Sequence, residues 1–426
     1  MVQTRRSFLR TAAASVSVGG VTYFLPDFPQ ARGEEKPKPS EQIRIGAIGV
    51  GNQGKGNLGI HAKNCVAVCE VDSTRLAAAE AQVEKASGKK PFATDDYRKL
   101  LDRKDVDAVV ITTPDHWHAL MAVDACNAGK DVYCEKPLTL CIAEGRKIVE
   151  AARKNKRIVQ TGSQQRSDER FRRACEYVRS GRLGKISEVR VGIPGPNFKA
   201  PAVADGSPPK ELNYDMWLGP APKRAYNEKR VHYLFRFFWD YSGGQLTNFG
   251  AHHLDITQWG LGMDESGPTN IEATATFQKD MWYEVPEKCQ ITYTYASGVK
   301  VICSMSEKQG ATFIGDKGSI YVNRGSITAT PAEILKEALK ENDVHLYVSN
   351  NHHQNWLECL RTRKLPICDA EIGHRSATVC HLGNLAVRTG RKLVWDPVKE
   401  QIVDDKEANA MVDKPYREPW KLVVKG

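Results

Sequence analysis

The chain has 426 residues, which is more than one hydrophobic core ordinarily holds and favours two domains. Its hydrophobic share of 41% and its charged share of 26% are typical of a soluble globular protein. The net charge is +10, but no basic block is interleaved with aromatic residues, which argues against nucleic acid as a partner. A modest positive charge suits an anionic substrate without requiring one.

Residues 1–40 are predicted to lie outside the fold. Residues 4–10, with Arg5 and Arg6 at their centre, fit a twin-arginine (Tat) export signal, and a modestly apolar run over 11–25 follows. That run is too short and too polar for a stable membrane span. Residues 32–40 read as a disordered linker. We therefore expect the Tat export machinery as a partner and a periplasmic or other extracytoplasmic location, although a basic N-terminus can arise by chance. No clear cleavage site stands near Ala31.

Cysteine usage agrees with export of a protein that is already folded. There are 11 cysteines, an odd number, without a C-x-x-C pair or metal-like spacing. Free thiols are hazardous if a chain reaches an oxidising compartment unfolded, so folding first in a reducing cytosol avoids the problem. Most of them are interpreted as small buried apolar residues.

The first strand of the fold is predicted over residues 43–48, and a G-x-G-x-x-G motif follows at once. The motif is Gly49-Val50-Gly51-Asn52-Gln53-Gly54, and a second apolar run over 66–69 ends in Glu70-Val71-Asp72. This order of strand, glycine turn, helix and second strand with an acid at its tip is typical of a dinucleotide site. The alternative is a plain strand, turn and helix. An acid at the strand end, either Glu70 or Asp72, favours NAD over NADP, because it accepts hydrogen bonds from ribose hydroxyls and repels a 2′-phosphate.

Strands and helices then alternate up to residue 166. A helix begins at Asp72 or Ser73 and stops at Gly88, and other helices are predicted over 94–101, from about 115 to 129, and over 143–154. The remaining strands cover 106–111, 131–134 and 157–160, and their polar ends are Thr113 to His118, Glu135 to Pro137, and Thr161 to Arg166. The alternation predicts a doubly wound parallel sheet over 41–166, an N-terminal Rossmann domain. Ligands bind beyond the carboxyl ends of such strands.

After residue 166 the regular alternation of strands and helices ends. A helix over 169–180 and a strand over 186–193 lead into a long loop over 194–241, and a helix follows over 251–260. Short strands without helices between them are predicted over 271–277, 290–295, 300–304, 311–314 and 319–322, and two closing helices over 353–361 and 376–389. We expect a C-terminal α/β domain over 167–426 with a mainly antiparallel open sheet.

Four motifs together resemble the Gfo/Idh/MocA oxidoreductases, a family that includes glucose–fructose oxidoreductase and inositol dehydrogenase. They are Gly49 to Gly54, Thr113-Pro114-Asp115-His116-Trp117-His118, Glu135-Lys136-Pro137 and Gly250-Ala251-His252-His253-Leu254-Asp255. The stretches 226–232 and 238–244 are similar to those of Tat-exported members. The resemblance covers about residues 41–395. It implies NAD(P)-dependent oxidation or reduction of a sugar or cyclitol hydroxyl, and a homo-oligomer, a dimer or tetramer, formed through the open sheet.

Hydride transfer from a carbinol carbon needs a base near the oxygen, a cation for the developing alkoxide, and a nicotinamide face. By resemblance, Lys136 is the cation and His252 is the acid/base. The family usually has an Asp four residues before this His, but here Asn248 occupies that position. Asn cannot take a proton, although it can orient His252 or bind a hydroxyl. Asp255 is a candidate for the missing carboxylate.

The remaining assignments follow from these motifs. The predicted cofactor contacts are Gly49, Gly51, Asn52, Gln53, Gly54, Glu70, Asp72, Thr113, Pro114, His116, His118, Glu135 and Lys136. The predicted substrate contacts are Gln164, Arg166, Trp239, Asn248, His252 and His253, with core packing as the alternative for Trp239. The pairs His252-His253 and His352-His353 lack a fixed third ligand, so no metal is predicted.

Three functions stay open on the sequence alone. The first is an exported NAD-dependent sugar or cyclitol dehydrogenase. The second is an NAD-dependent glycoside hydrolase or lyase that oxidises the sugar transiently. An exported protein has poor access to free NAD, which favours a tightly bound cofactor that recycles. The third is a sugar-binding protein without catalysis, in which Asn248 marks a lost base.

Overall fold

The computed structural model describes residues 17–18, 21–22, 42–196, 198, 202–280 and 282–425. In the leading segment, β1 (Ser17–Val18) and β2 (Val21–Thr22) pair antiparallel. The twin-arginine motif, most of the apolar run and the linker lie outside the described residues, so export stays a prediction. None of the helices in the described ranges is long and apolar enough to cross a lipid bilayer.

The first half of residues 42–425 forms a parallel sheet with helices around it. Its strands are β3 (Ile45–Ile48), β4 (Cys65–Cys69), β5 (Phe92–Thr94), β6 (Ala108–Ile111), β7 (Asp131–Cys134) and β8 (Val159–Thr161). Its helices are α1 (Asn52–His61), α2 (Ser73–Ser87), α3 (Tyr97–Leu101), α4 (Asp115–Asn127) and α5 (Ile142–Lys154). The strand order β5-β4-β3-β6-β7-β8, with every pair parallel, confirms the predicted doubly wound sheet.

Capping residues explain where the helices begin. The Asp72 carboxylate accepts hydrogen bonds from the N–H groups of Thr74 and Arg75, and Gly88 ends α2 with a φ of 73°, as predicted. The helix predicted over 94–101 begins only at Tyr97, because the Asp96 carboxylate accepts from the Arg98 N–H. Residues 92–94 pair instead with β4 as an edge strand, which the sequence did not indicate.

The second half carries a larger sheet. Its helices are α6 (Glu169–Arg179), α7 (Tyr214–Leu218), α8 (Gly244–Asn248), α9 (Gly250–Leu261), α10 (His352–Thr362), α11 (Ala370–Thr389) and α12 (Lys406–Ala410). Its strands are β9 (Ile186–Gly192), β10 (Asn270–Thr276), β11 (Lys288–Thr294), β12 (Lys300–Ser304), β13 (Gly310–Gly315), β14 (Gly318–Asn323), β15 (Ser326–Thr330), β16 (Leu393–Asp396) and β17 (Gln401–Ile402).

These strands form one sheet in the order β15-β14-β13-β9-β12-β11-β10-β16-β17. Only β9 and β12 pair parallel within it, so the predicted mainly antiparallel sheet is confirmed. The sequence analysis did not predict strands β15 to β17 or the short helices α7, α8 and α12.

The end of the chain packs back on the first sheet. Trp356 of α10 is fully buried in a cluster with Ile43, Ile45 and Tyr133. Farther on, the Trp420 ring packs edge-on against Trp117, with centroids 4.9 Å apart. The division predicted near residue 166 therefore falls between the two sheets, but residues beyond 350 contribute to the core around both.

The 11 cysteines, all of them within the described ranges, are free and buried. This confirms the interpretation of these thiols as small apolar core residues. Burial raises the pKa of several of them, including Cys65, to about 12. Such thiols stay protonated and unreactive.

A buried ion pair joins the two halves. The Arg166 Nε atom donates to both Asp255 carboxylate oxygens at 2.9 Å, and Arg166 Nη2 donates to Asp264 at 2.7 Å. The Ser376 hydroxyl of α11 also donates to Asp255, at 2.6 Å. The side chains of Arg166 and Asp255 are each 1% exposed, so neither charge has water as an alternative partner.

We predict that Asp255→Ala lowers the free energy of unfolding by about 3 kcal/mol, because it removes the fully buried partner of Arg166 and leaves only the partly exposed Asp264 to pair with that buried charge. Urea denaturation followed by circular dichroism measures the change. Glu150→Ala, which removes the exposed Lys147–Glu150 pair, is the matched control and is expected to cost less than about 1 kcal/mol. Equal losses in the two variants would contradict this account.

Candidate active site

A cavity of about 640 Å³ opens at the carboxyl ends of the parallel strands. Predicted site residues that line it are Gly49, Gly51, Asn52, Gln53, Glu70, Thr113, Pro114, His118, Glu135, Lys136, Gln164, Asn248 and His252. Residues from both halves of the chain therefore meet in one space, at the place where parallel sheets bind ligands.

The glycine loop has the backbone that a pyrophosphate needs. Gly49 has a φ of 76°, which favours glycine, and a Cβ added at Gly54 would lie closer than 3.0 Å to the Gly49 carbonyl oxygen. Gly54 therefore lies beneath the loop and lets α1 pack against it. The helix begins after Gly51 without a side-chain cap, so its first N–H groups stay available for an anion. The residues present thus fit a bound dinucleotide.

Of the two acids at the tip of β4, only Glu70 lines the cavity. Its carboxylate accepts hydrogen bonds from the N–H groups of Val50, at 3.0 Å, and Val71, at 2.9 Å, and burial raises its pKa. A carboxylate has further lone pairs, so a ribose hydroxyl can still bind. Asp72 does not line the cavity but caps α2, so the structure does not bring it into the predicted cofactor site.

Sequence reasoning missed Arg75 at this end of the cavity. A Cβ added at Gly51 would meet the Arg75 guanidinium, so this side chain lies directly over the glycine loop. The adjacent capping residue Asp72 has its carboxylate 3.7 Å from Arg75 Nε. The sequence could have indicated this contact through the position of Arg75 in the first turn of α2, because that turn lies beside the glycine loop in a βαβ unit.

The two histidines of the third motif differ in position. The ring nitrogens of His118 lie 2.7 Å from the Pro137 carbonyl oxygen and 2.9 Å from that of Thr113, so this ring ties two strand ends together at the cavity. His116 Nε2 lies 3.0 Å from the Trp217 carbonyl oxygen, away from the cavity lining. Burial lowers the pKa of His116 to about 3. The structure therefore does not bring His116 into the predicted cofactor site.

Asp115 of the same motif lines the cavity and was not among the predicted site residues. Its carboxylate accepts a hydrogen bond of 2.5 Å from the Ser242 hydroxyl. Burial raises the pKa of Asp115, while nearby positive groups such as His118 oppose that effect.

Lys136 is held by oxygens of Asn248. Its Nζ atom donates to the backbone oxygen and to the side-chain Oδ1 of Asn248, both at 3.0 Å. Burial lowers the pKa of Lys136, and the adjacent Glu135 raises it. Glu135 in turn accepts from Gln164 Nε2 and Asn57 Nδ2, each at 3.0 Å. The lysine is therefore fixed at the end of β7 by a hydrogen-bonded shell.

Asn248 and His252 do not share one face of a single helix, although their spacing of four residues would place them so in a continuous helix. Helix α8 ends at Asn248 and α9 begins at Gly250, and the Asn248 side chain bonds to Lys136 and Gln245 instead. The expectation that Asn248 orients His252 is therefore wrong. In the described part of the chain, the buried Nδ1 of His252 has no hydrogen-bond partner. Burial, with help from the charge of Lys136, lowers the pKa of His252 well below 6.5.

Two predicted substrate contacts, Arg166 and Trp239, and the candidate carboxylate Asp255 are absent from the cavity lining. Arg166 lies outside the cavity, because Asp255 and Asp264 engage its guanidinium. For the same reason Asp255 supplies no carboxylate to His252. Trp239 packs under the guanidinium of Arg388, with the carbon 5.2 Å from the ring centroid, as its core-packing alternative anticipated.

His253 is 2% exposed and is absent from the cavity lining, so the structure does not bring it into the predicted substrate site. No group of three or more His, Cys, Asp and Glu side chains in the described residues is arranged to hold a metal ion.

The fold and the cavity together define an α/β protein with an NAD-binding Rossmann domain. A profile described as "Oxidoreductase family, NAD-binding Rossmann fold" matches residues 43–163. A second, "Oxidoreductase family, C-terminal alpha/beta domain", matches residues 199–422, more than half of the chain. The chain belongs to the Gfo/Idh/MocA oxidoreductase family.

Two groups of relatives are similar over part of the sequence. An inositol 2-dehydrogenase of Salmonella typhimurium is 33% identical over 177 residues, which is 40% of this chain and 50% of the relative. An alpha-N-acetylgalactosaminidase of Shewanella oneidensis is 33% identical over 177 residues, which is 36% of this chain and 38% of the relative. The matches thus span half or less of these relatives.

Solved structures share the fold over most of the chain. The WlbA dehydrogenase of Bordetella pertussis, in complex with NADH and UDP-GlcNAcA, has a TM-score of 0.62 and 21% identity over 84% of this chain and 99% of that one. An aldose-aldose oxidoreductase of Caulobacter crescentus has a TM-score of 0.61 and 18% identity over 83% and 100%. At these levels of sequence identity, the structural similarity shows only that the fold is shared.

We predict that Gly54→Ala weakens NAD binding at least about tenfold, because the new Cβ collides with the Gly49 carbonyl. Isothermal titration calorimetry with NAD measures the effect. Gly56→Ala, on the same helix with nothing within 4 Å of its added Cβ, is the matched control. Unchanged NAD affinity in a folded Gly54→Ala protein would contradict the assigned loop.

Proposed function

We propose that this protein is an NAD-dependent oxidoreductase that moves hydride between the nicotinamide and a CH–OH or C=O carbon of a sugar or cyclitol. The observation that carries the proposal is that the Lys136 ammonium and the His252 imidazole line the same cavity as the glycine loop. When bound, NAD(H) supplies the acceptor or donor of the hydride.

Lys136 and His252 have complementary tasks in this proposal. The buried ammonium of Lys136 stabilises negative charge on the substrate oxygen, and it does so strongly because little water screens it. His252 takes the hydroxyl proton during oxidation and returns it during reduction. Asn248 positions Lys136 without competing for its charge, since an amide oxygen is neutral. Gln164 holds Glu135 and faces the cavity as a substrate contact.

Lys136→Met is expected to lower kcat by about 10²–10³. The measurement is absorbance at the NADH band with a panel of sugars and cyclitols, which also tests the proposed function itself. Lys147→Met, on the surface of α5, is the control and should retain full activity. Full activity in Lys136→Met would remove the assigned role. Tight sugar binding without turnover by the unmodified protein would favour a binding function.

The pH profile tests the role of His252. Its pKa is lowered, so the neutral base is retained as pH falls through 6.5, and it is lost only at a lower pH. We therefore expect a constant kcat/KM for oxidation as pH falls through 6.5, followed by a decline. His252→Gln should reduce the rate by about 10²–10⁴ and remove that decline. A decline centred at or above 6.5 would contradict the assignment.

A second candidate is cleavage of a glycoside through transient oxidation of the sugar, with NAD regenerated in the same site. It is favoured by the similarity to glycosyl hydrolase family 109 proteins, one 36% identical over 165 residues. Release of the leaving group from a nitrophenyl glycoside without net NADH supports this candidate. Stoichiometric NADH formation supports the simple dehydrogenase.

Export and assembly complete the proposal. The twin-arginine motif supports transport of the folded, cofactor-loaded protein by the Tat machinery to an extracytoplasmic site. The free, buried cysteines are compatible with that route, because folding encloses them before the oxidising compartment is reached. Alternating exposed residues on β10 and β11, such as Glu272 and Gln290, leave one face of the large sheet open, which supports a homo-oligomer, a dimer or tetramer.

A further inference from the structure

Two arginines that line the cavity have no carboxylate partner among the described residues. Arg236 and Arg324 both line the cavity, and neither forms an ion pair with an acidic side chain among the residues that the structure describes. Other arginines of the loop between β9 and α8 are paired. Arg224 lies 2.9 Å from Glu284, and Arg230 lies 2.8 Å from Asp205. Within this loop, Arg236, the arginine that lines the cavity, is thus the one without an acidic partner among the described residues.

Arg324 is fixed close to the catalytic histidine. It sits in the turn between β14 and β15, and its guanidinium carbon lies 5.9 Å from the centre of the Phe249 ring. The Gln165 amide links it to α9, because the amide nitrogen donates to the His252 carbonyl at 3.0 Å and the amide oxygen accepts from Arg324 Nε at 3.1 Å. The guanidinium is thus anchored through one edge.

Arg236 lines the same cavity from the long loop between β9 and α8. Its Nη1 atom donates to the Tyr233 carbonyl at 2.9 Å, and its guanidinium carbon lies 4.7 Å from the centres of the Tyr233 and Phe235 rings. Aromatic packing and a neutral carbonyl hold the side chain in place without neutralising its charge.

Five acids, Glu70, Asp95, Asp115, Glu135 and Asp168, line the same cavity, but none of them forms an ion pair with Arg236 or Arg324 among the described residues. Asp115 bonds to Ser242, and Glu135 bonds to Asn57 and Gln164. Lys136, Arg236 and Arg324 line one cavity, and both arginines act to lower the pKa of Lys136. Like charges clustered in a partly buried space repel, and an incoming anion relieves that repulsion.

We infer that the substrate is an anionic carbohydrate whose carboxylate or phosphate is held by Arg324 and Arg236, while Lys136 and His252 act on one of its hydroxyl carbons. A guanidinium forms paired hydrogen bonds with either anion, and a neutral hydroxyl offers no such match. The inference rests on the proposed function, because it places the anion relative to Lys136 and His252.

The cofactor pyrophosphate is the competing anion. Its place is the N-terminus of α1, where Arg75 already covers Gly51. Arg324 is tied to α9 through the His252 carbonyl, so it belongs to the substrate side. This difference makes the affinity for NAD a direct check on the assignment of Arg324.

The test is isothermal titration of the NAD-saturated protein with D-galacturonate, D-glucuronate, D-glucose 6-phosphate, D-galactose and D-glucose. At least one anion should bind about tenfold or more tightly than its neutral parent, and the preferred anion tells a carboxylate site from a phosphate site. Arg324→Gln should weaken binding of that anion by about 10–100-fold, with unchanged affinity for NAD and for the neutral sugar. Arg361→Gln, on the exposed surface of α10, is the matched control.

The inference and the proposed function can fail separately. Selective, Arg324-dependent binding of an anion without NADH formation would support the inference and count against the dehydrogenase. Three results would overturn the inference: no anion binds more tightly than its neutral parent, Arg324→Gln weakens NAD binding, or Arg324→Gln weakens both sugars equally. Circular dichroism confirms that each variant is folded before titration.

Discussion

The bond between the Lys136 ammonium and the two oxygens of Asn248 is the interaction on which the site depends. It joins the end of β7 in the Rossmann sheet to the break between α8 and α9 in the second half of the chain. The break matters, because the His252 N–H bonds to the Phe249 carbonyl at 3.0 Å and leaves the Asn248 carbonyl for the lysine. A continuous helix would have consumed that acceptor. The same break turns His252 toward the cavity.

The surroundings hold these two groups in place. Lys136 follows Glu135, whose carboxylate is fixed by Asn57 of α1 and by Gln164. His252 belongs to α9, which is buried on every side and is tied to α11 through Asp255 and Ser376. Arg166 therefore supports the site from behind instead of entering it. A charged side chain in a dry core fixes the helix position more strictly than apolar packing alone would.

The parts of this site that sequence predicts are those fixed by local order along the chain. The glycine loop, Glu70 and Lys136 each follow a buried strand, and parallel pairing brings the strand ends together whatever the rest of the chain does. Local order along the chain does not fix the direction in which a side chain points at the end of a strand. His116 and His118 are two residues apart on the first turn of one helix, and only packing against Trp217 decides which of them is removed from the cavity. Arg324 is placed at the site by the register in which β14 pairs with β15. This long-range arrangement cannot be predicted from a local sequence pattern.

The amide at Asn248 and the unpaired arginines have a common electrostatic consequence. An aspartate at this position, as the family resemblance leads one to expect, would place a negative charge 3.0 Å from the Lys136 ammonium. The amide oxygen keeps the hydrogen bond but contributes no negative charge, and Arg236 and Arg324 add positive charge to the same cavity. Burial and the cations Lys136 and Arg324 lower the pKa of His252, which keeps its ring neutral. The replacement therefore need not mark a lost base, because it also shifts the site toward ligands that carry the missing negative charge themselves.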